Sequence, residues 1–370
     1  MLVKSIAAAV VAVSLVAPSA HSADPGIARL TDPVAIARRA AATQAADVGV
    51  TVSTPVAPHH ATPAAAAAAI TSRHGVNGDL SELDRLPAQV AAPLTEVLDA
   101  YLAYADARGL GAILGARVAL LDAGLHLADA TKGHALATDL SLCPALAIDL
   151  STGPSTYTAD CALVVDAYGD DTYLNNAGGG GCLTPVSAAL LDLDGNDTYA
   201  ARAGCAGNGG GALGAGFLLD TDGNDVYAGQ ADVSNGSGHE TGPGMLVDTD
   251  GDDVYRAPAG SHISNGSGFA GIGTLLDLDG SNDSYQGQWV TNGSGYTGSG
   301  LLFDLRGVDS YTGTRTAITG SAINGAGNLG TGLLLDAGGT GDTYTDDSGS
   351  STDQTVVPKG LVGAQVDTEV

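Results

Sequence analysis

The residues best equipped for chemistry in this chain are aspartates, and they recur in a fixed pattern. Residues 218–227 read Leu-Leu-Asp-Thr-Asp-Gly-Asn-Asp-Val-Tyr, and residues 246–255 read Leu-Val-Asp-Thr-Asp-Gly-Asp-Asp-Val-Tyr. Other copies begin their acidic stretch at Asp166, Asp192, Asp277, Asp304 and Asp336, so successive first aspartates are 26, 28, 28, 29, 27 and 32 residues apart. A degenerate copy runs from Ile148-Asp149 to Tyr157. The fullest copies gather three carboxylates within six positions around a glycine, which permits a tight turn. Hard oxygen donors at that density suit Ca²⁺. The candidate ligands are Asp192, Asp194 and Asp197 in one turn, Asp220, Asp222 and Asp225 in the next, then Asp248, Asp250 and Asp253, and then Asp277, Asp279 and Asp283. Later copies are poorer: Arg306 replaces the middle aspartate, and residues 338–342 lack it.

Two further elements share this period. Asn-Gly-Ser-Gly occurs at 235–238, 265–268 and 292–295, with Asn324-Gly325-Ala326-Gly327 as a variant. Glycines also stand four and six residues before the first aspartate, as at Gly214 and Gly216 or Gly242 and Gly244. A two-residue spacing is strand-like, and glycine on a strand lets another backbone approach. The fold expected is therefore mainly β: a β-helix-like or β-roll-like solenoid of about seven coils, one per unit of roughly 28 residues. A propeller blade needs four strands and about 40 residues, more than each unit holds. Coils stacked about 4.8 Å apart would place Leu on Leu and Tyr on Tyr, the latter at 173, 199, 227, 255, 285, 311 and 344. They would also stack carboxylates, which repel by about 3 kcal/mol per neighbouring pair at an effective dielectric of 20. Cations, raised pKa values or side chains splayed into water must relieve that repulsion.

The acidic turn resembles the calcium-binding nonapeptide of RTX proteins, Gly-Gly-x-Gly-x-Asp-x-hydrophobic, with Gly223, Asn224, Asp225 and Tyr227 on the pattern. The resemblance implies calcium held between successive coils of a β-roll. Asp220 and Asp222 depart from it, and one turn per 28 residues differs from tandem nine-residue repeats. The chain is also similar to uncharacterised secreted bacterial proteins with Leu-Leu-Asp…Gly-Asp-Asp-x-Tyr repeats, a likeness that supplies no activity.

Formal net charge is −27, and 29 of the 41 acidic residues fall after residue 139 with only 5 of the 14 basic ones. Such an array repels nucleic acid and anionic membrane, leaving cations and a surface glycan or matrix as the partner classes. Residues 1–23 have the form of a signal peptide, with Lys4, an apolar run from Ser5 to Val16 and small residues up to Ala23. Export to the cell envelope or beyond is expected, and the four cysteines then read as two disulfides. Cys143 and Cys161 lie six and five residues before their aspartates and nearly align. Cys182 and Cys205 remain as the second pair.

Before the array, residues 24–78 read as an Ala-rich helix capped by Asp32, followed by a Pro/Ala linker in which His59 and His60 are exposed. Residues 79–140 read as a helical cap. Ser81 to Asp84 is a capping-box candidate, one helix ends at Gly109 and a second runs from Leu110 to Thr131. The cap is expected to cover the unpaired edge of the first coil. Residues 141–347 form the repeats and 348–370 a tail or final cap. An enzyme is disfavoured, because the repeat itself accounts for every acid pair and Arg202, Arg256, Arg306 and Arg315 share no register. Trp289 and Tyr296 break the repeat and suit a sugar-stacking patch, while His239, Glu240 and His262 are single departures. The function expected is that of a secreted, calcium-stabilised β-solenoid with a structural, surface or adhesion role. The alternative is a polysaccharide-binding or polysaccharide-degrading β-helix.

Overall fold

A computed structural model describes residues 32–370 except 135, 182–186, 205, 258–261, 279–280, 315–322, 339, 347–348, 353–355, 359–362 and 369–370. The predicted signal peptide, Cys182, Cys205, Asp279 and Arg315 therefore lie outside the described residues. The array is a parallel β-solenoid, and each full coil contributes to three sheets. The strands that carry the leucines, such as Ala188–Asp192 and Gly216–Leu219, form the longest sheet. Short strands ending in or around tyrosine, such as Thr198–Tyr199 and Val226–Tyr227, form the second. Two-residue strands that start at the last glycine of the Asn-Gly-Ser-Gly element, such as Gly238–His239 and Gly268–Phe269, form the third. Like residues pair in register: Leu246 with Leu218 and Leu275, Tyr227 with Tyr199 and Tyr255, Gly238 with Gly211 and Gly268.

Consecutive strand residues face opposite ways, so the Leu-Leu pairs serve two cores. Leu190, Leu218, Leu246, Leu275, Leu302 and Leu334 point inward with the tyrosines. Their neighbours Leu191, Leu219, Val247, Leu276, Phe303 and Leu335 point outward and pack with the helices. The inner core is thin, and the tyrosines fill it as one stack from Tyr157 to Tyr344. Successive ring centroids are 4.6–4.9 Å apart and the planes lie within 4°. Cys143 and Cys161 are disulfide-bonded with Cα atoms 4.9 Å apart, stapling the first strands.

The helical segment is present but lies elsewhere than expected. Helices α1 (Pro33–Asp47), α2 (Pro63–Arg73), α3 (Ala88–Asp106) and α4 (Leu110–Thr131) run over the outer face of the leucine sheet, not over the end of the first coil. The outward leucine column requires this, because an apolar face several rungs long must be buried. Gln44 of α1 donates to Gly273 O at 2.6 Å and accepts from Thr274 Oγ1 at 2.8 Å, which satisfies a hydroxyl on this face, as Asp47 of α1 does for Ser299 Oγ at 3.2 Å. Gly124 of α4 sits so close to Leu191 and Leu219 that a Cβ there would lie 2.5 Å from Leu219 Cδ2. Helix α4 is long and apolar enough to cross a membrane, yet most of it is buried here. The first strand edge is closed instead by Asp139–Leu142, which pairs antiparallel with Leu146–Asp149. At the far end Gly363–Thr368 adds a further parallel strand, with Asp367 opposite Asp336, and Val356–Pro358 then turns antiparallel.

Other local expectations shift for steric reasons. Asp32 does cap α1, accepting from Ala35 N at 3.0 Å. The Ser81–Asp84 box does not start a long helix: Leu83–Arg85 is a single 3₁₀ turn, and Pro87 holds Leu86 extended before α3 begins. The supposed linker is seated on α4. Ser53 N donates to Gly111 O at 3.0 Å, and Cβ atoms at Gly111 and Gly115 would strike the carbonyls of Thr51 and Ser53. His60 is likewise held, not free: its backbone N–H donates to Asp99 Oδ2 at 2.9 Å and its Nδ1 lies 2.5 Å from Asp99 Oδ1.

Two substitutions test this packing. Gly223 has φ +135°, and a Cβ there would lie 1.5 Å from Gly195 O of the preceding coil. Gly223→Ala should cost about 3 kcal/mol or more in denaturant unfolding, and a near-neutral result would refute the close approach. Arg117 is buried in α4, and its Nε and Nη1 meet no hydrogen-bond partner. Arg117→Met should raise the melting temperature, since an unpaired buried charge is worse than an apolar side chain of similar volume. A lower melting temperature would show that the guanidinium is compensated.

A candidate cation row inside the acidic turns

Each acidic turn divides in two, because the alternation of its flanking strands is broken at a glycine of positive φ, Gly195, Gly223 or Gly251. The first aspartate lies two residues beyond the inward leucine, and the last lies two before the tyrosine. Both therefore point into the solenoid. Asp192, Asp197, Asp220, Asp225, Asp248, Asp253, Asp277 and Asp283 are all buried. The middle aspartates Asp194, Asp222 and Asp250 are exposed on the outside of the turn. Residues brought together as three ligands of one turn are thus split, and the inward pairs of neighbouring coils meet instead. One carboxylate oxygen each from Asp166, Asp171 and Asp192 lie within 4.8 Å of one another. The same holds for Asp192, Asp197 and Asp220, for Asp220, Asp225 and Asp248, for Asp253, Asp277 and Asp283, and for Asp283, Asp304 and Asp309.

The scaffold engages at least one oxygen of these inward carboxylates, and both oxygens of Asp166, Asp248, Asp253 and Asp283. The last aspartates form a ladder to backbone: Asp197 N donates to Asp225 Oδ1 at 2.5 Å, Asp225 N to Asp253 Oδ1 at 2.6 Å, and Asp253 N to Asp283 Oδ1 at 2.7 Å. The first aspartates meet the tyrosines. Tyr199 Oη lies 2.7 Å from Asp192 Oδ2 and 2.5 Å from Asp220 Oδ2. Tyr227 Oη lies 2.9 Å from Asp220 Oδ2 and 2.6 Å from Asp248 Oδ2, and Tyr255 Oη lies 2.9 Å from both Asp248 Oδ2 and Asp277 Oδ2. The opposite oxygens are buried with no hydrogen-bond partner at Asp192 Oδ1, Asp220 Oδ1 and Asp304 Oδ1, and at Asp171, Asp197, Asp225 and Asp309 Oδ2. Leaving buried carboxylate oxygens without donors is costly. An all-carboxylate set of such oxygens is the donor chemistry that a hard cation takes.

The charge has two ways to be relieved. A phenol carries one proton, so a hydroxyl between two carboxylates can bond to both only if one carboxyl is itself protonated. Burial first, then the neighbouring carboxylates, push the Asp197 carboxyl up to about 8 and that of Asp166 to about 10. Burial raises Asp220 to about 6 against the pull of its two tyrosine hydroxyls. Asp192, Asp225, Asp248, Asp253 and Asp304 are raised as well, with desolvation the leading cause. Protons and cations therefore compete for the same negative charge.

The turns around this row are braced outside it. A buried ladder joins Asn208, Asn235, Asn265, Asn292 and Asn324, each amide donating to the next at 2.8–3.1 Å. These asparagines have φ between +47° and +53°, a left-handed conformation that asparagine tolerates. Residues that break the repeat gather where the third sheet meets the strand Ser284–Val290 of the second. Phe269 stacks on Tyr296 at 4.9 Å, and lies 5.1 Å from Trp289 and 5.3 Å from His239. His262 pairs in register with Trp289, and its Nδ1 is 3.6 Å from Asp232. Phe269 is the residue of this cluster that the sequence reading did not single out. Comparison with protein-family models, curated proteins and solved structures finds no match to this chain.

The raised carboxyls fix the sign of a pH effect. A folded-state pKa above the unfolded value of about 3.9 means stability that is complete below about pH 4 and lost as pH rises through the folded values, here about 6 to about 10. Cation-free protein should therefore melt at progressively lower temperature from pH 5 to pH 9. A melting temperature that rises over that interval would rule out a buried, uncompensated row.

Proposed function

We propose that the protein is an exported, calcium-stabilised β-solenoid whose role is structural, as a surface or adhesion-type scaffold. The observation that carries this reading is the set of buried carboxylate oxygens without donors at Asp171, Asp192, Asp197, Asp220, Asp225, Asp304 and Asp309. Calcium suits it by its preference for oxygen ligands and its tolerance of irregular geometry. The inward aspartates would hold the ion and orient it against the tyrosine stack, while Asp194, Asp222 and Asp250 face water. The disulfide between Cys143 and Cys161 supports an oxidising compartment, in line with the signal-like residues 1–23. A long parallel leucine sheet closed at both ends by antiparallel strands supports a scaffold more than a catalyst.

A second reading, polysaccharide binding, has the aromatic cluster in its favour. Trp289 and Tyr296, seven residues apart in one unit, both touch Phe269 of the preceding unit on one half-exposed face. Affinity electrophoresis on immobilised glycans should show retardation lost in Trp289→Ala if that reading holds.

For the calcium reading, chelation should lower the melting temperature at pH 8 and calcium should restore it. Adding calcium to weakly buffered, cation-free protein should also release protons, because the ion displaces them from shared carboxyls. Asp225→Asn should blunt both responses and Asp222→Asn should leave them intact. Equal melting with chelator and with calcium would sink the proposal.

A further inference from the structure

The arrangement of the inward aspartates bears on how cations would be held, given the calcium reading above. Most neighbouring carboxylate groups are not separate sites; the exception is the step from Asp220/Asp225/Asp248 to Asp253/Asp277/Asp283, where the two groups share no residue and meet through Asp248 and Asp253 of one turn. Asp192 belongs both to the Asp166/Asp171/Asp192 group and to the Asp192/Asp197/Asp220 group. Asp220 is shared in the same way with the Asp220/Asp225/Asp248 group, and Asp283 joins Asp253/Asp277 to Asp304/Asp309. We propose that the solenoid holds a single file of divalent cations, one per coil, in which neighbouring ions are bridged by a shared aspartate.

Charge fixes the count. Each full coil turns two carboxylates inward. A fully ionised row carries two negative charges per coil, which one divalent ion neutralises. Spacing then sets the file. Rings attached to the same coils are stacked 4.6–4.9 Å apart, so adjacent ions would stand about one strand spacing apart. Bare divalent ions that close repel strongly. A carboxylate between them offsets the repulsion, and the shared residues occupy that place. Their oxygens are divided suitably: Asp220 uses Oδ2 for Tyr199 and Tyr227 and leaves Oδ1 buried and unpartnered. Asp192 does the same with Tyr199. The bridging residue also changes along the axis. It is a first aspartate at Asp192 and Asp220 but a last aspartate at Asp283, after the coil lengthened by Ser281 and Asn282.

The file makes a prediction that independent sites do not. In the full chain, Asp220→Asn cuts two groups and should remove two bound calcium ions, counted by equilibrium dialysis. Asp197→Asn, which cuts the Asp192/Asp197/Asp220 group, should remove one, and Asp222→Asn none. Wild-type protein gives a readout that needs no variant. Terbium bound beside the tyrosine stack should luminesce on tyrosine excitation, and in a mixed terbium–europium load the energy should pass efficiently to europium in the next position. Tyrosine-sensitised terbium without transfer to europium, or equal loss of one ion in Asp220→Asn and Asp197→Asn, would overturn the file while leaving the calcium reading standing. Absence of any bound ion would overturn both.

Discussion

Everything in this molecule follows from stacking like on like at a single strand spacing. Repeating an apolar residue in register builds a core, as the leucine and tyrosine columns do. Repeating an amide builds a ladder, because each asparagine both donates and accepts. Repeating a carboxylate builds a problem, since anions about 5 Å apart in a dry interior repel. The solenoid nevertheless turns two aspartates per full coil inward and buries them. Backbone N–H groups and tyrosine hydroxyls leave one oxygen uncompensated at Asp192, Asp197, Asp220 and Asp225 among others. The remaining oxygens make the row the least self-sufficient part of the fold.

The rest of the architecture can be understood as holding that row in place. A composition with only 3 Phe and 1 Trp cannot fill a wide interior, so the coils close tightly and tyrosine spans the gap with its ring while its hydroxyl reaches the aspartates. Glycine at the turn allows the coils to stack without a side chain between them: Gly251, at φ +129°, would place a Cβ 1.4 Å from Gly223 O. The helices contribute from the other side. By covering the outward leucine column they dehydrate the sheet whose strands end in the first aspartates. Burial of those carboxylates is therefore a property of the whole chain, helices included, and not of the turns alone.

The sequence displayed the repeat, its period and the residues that form columns, because identical residues at fixed intervals are visible without knowing the fold. It also displayed the parity that matters. Asp220 is two residues from Leu218, and Asp225 is two from Tyr227, so their inward direction follows from alternation once Leu218 and Tyr227 are taken as core. Treating Asp220, Asp222 and Asp225 as one ligand set ignored the turn itself: Asp222 shares the parity of Asp220, but it lies beyond the strand Gly216–Leu219 and beside Gly223 at φ +135°, where alternation ends and the residue is exposed. The helices were misplaced for a related reason. Leu-Leu was read as one column, whereas two adjacent apolar residues on a strand imply two buried faces, and the second face is the one that the helices cover. The extended segment at 50–62 gave no comparable signal, since its docking depends on Gly111 and Gly115 four residues apart in a helix far along the chain. Nor did the gathering of Trp289, Phe269, Tyr296 and His239, which depends on three-dimensional proximity across coils.

The break of alternation at the turn glycine also separates two roles for acid in a chain of net charge −27. Outward aspartates such as Asp194, Asp222 and Asp250 meet water, where mutual repulsion is screened and high charge keeps an edge-rich protein soluble. Inward aspartates meet one another, where screening fails. The two sets differ by a shift of two or three positions within one turn, so an acidic composition alone says nothing about which of them holds an ion. Repeats that lose the outward residue, as the copy with Arg306 does, keep the inward pair at Asp304 and Asp309 buried. Variation thus falls on the solvent side of the turn while the interior pair persists. That is the pattern expected if the inward carboxylates are needed for their charge and the outward ones only for their solubility.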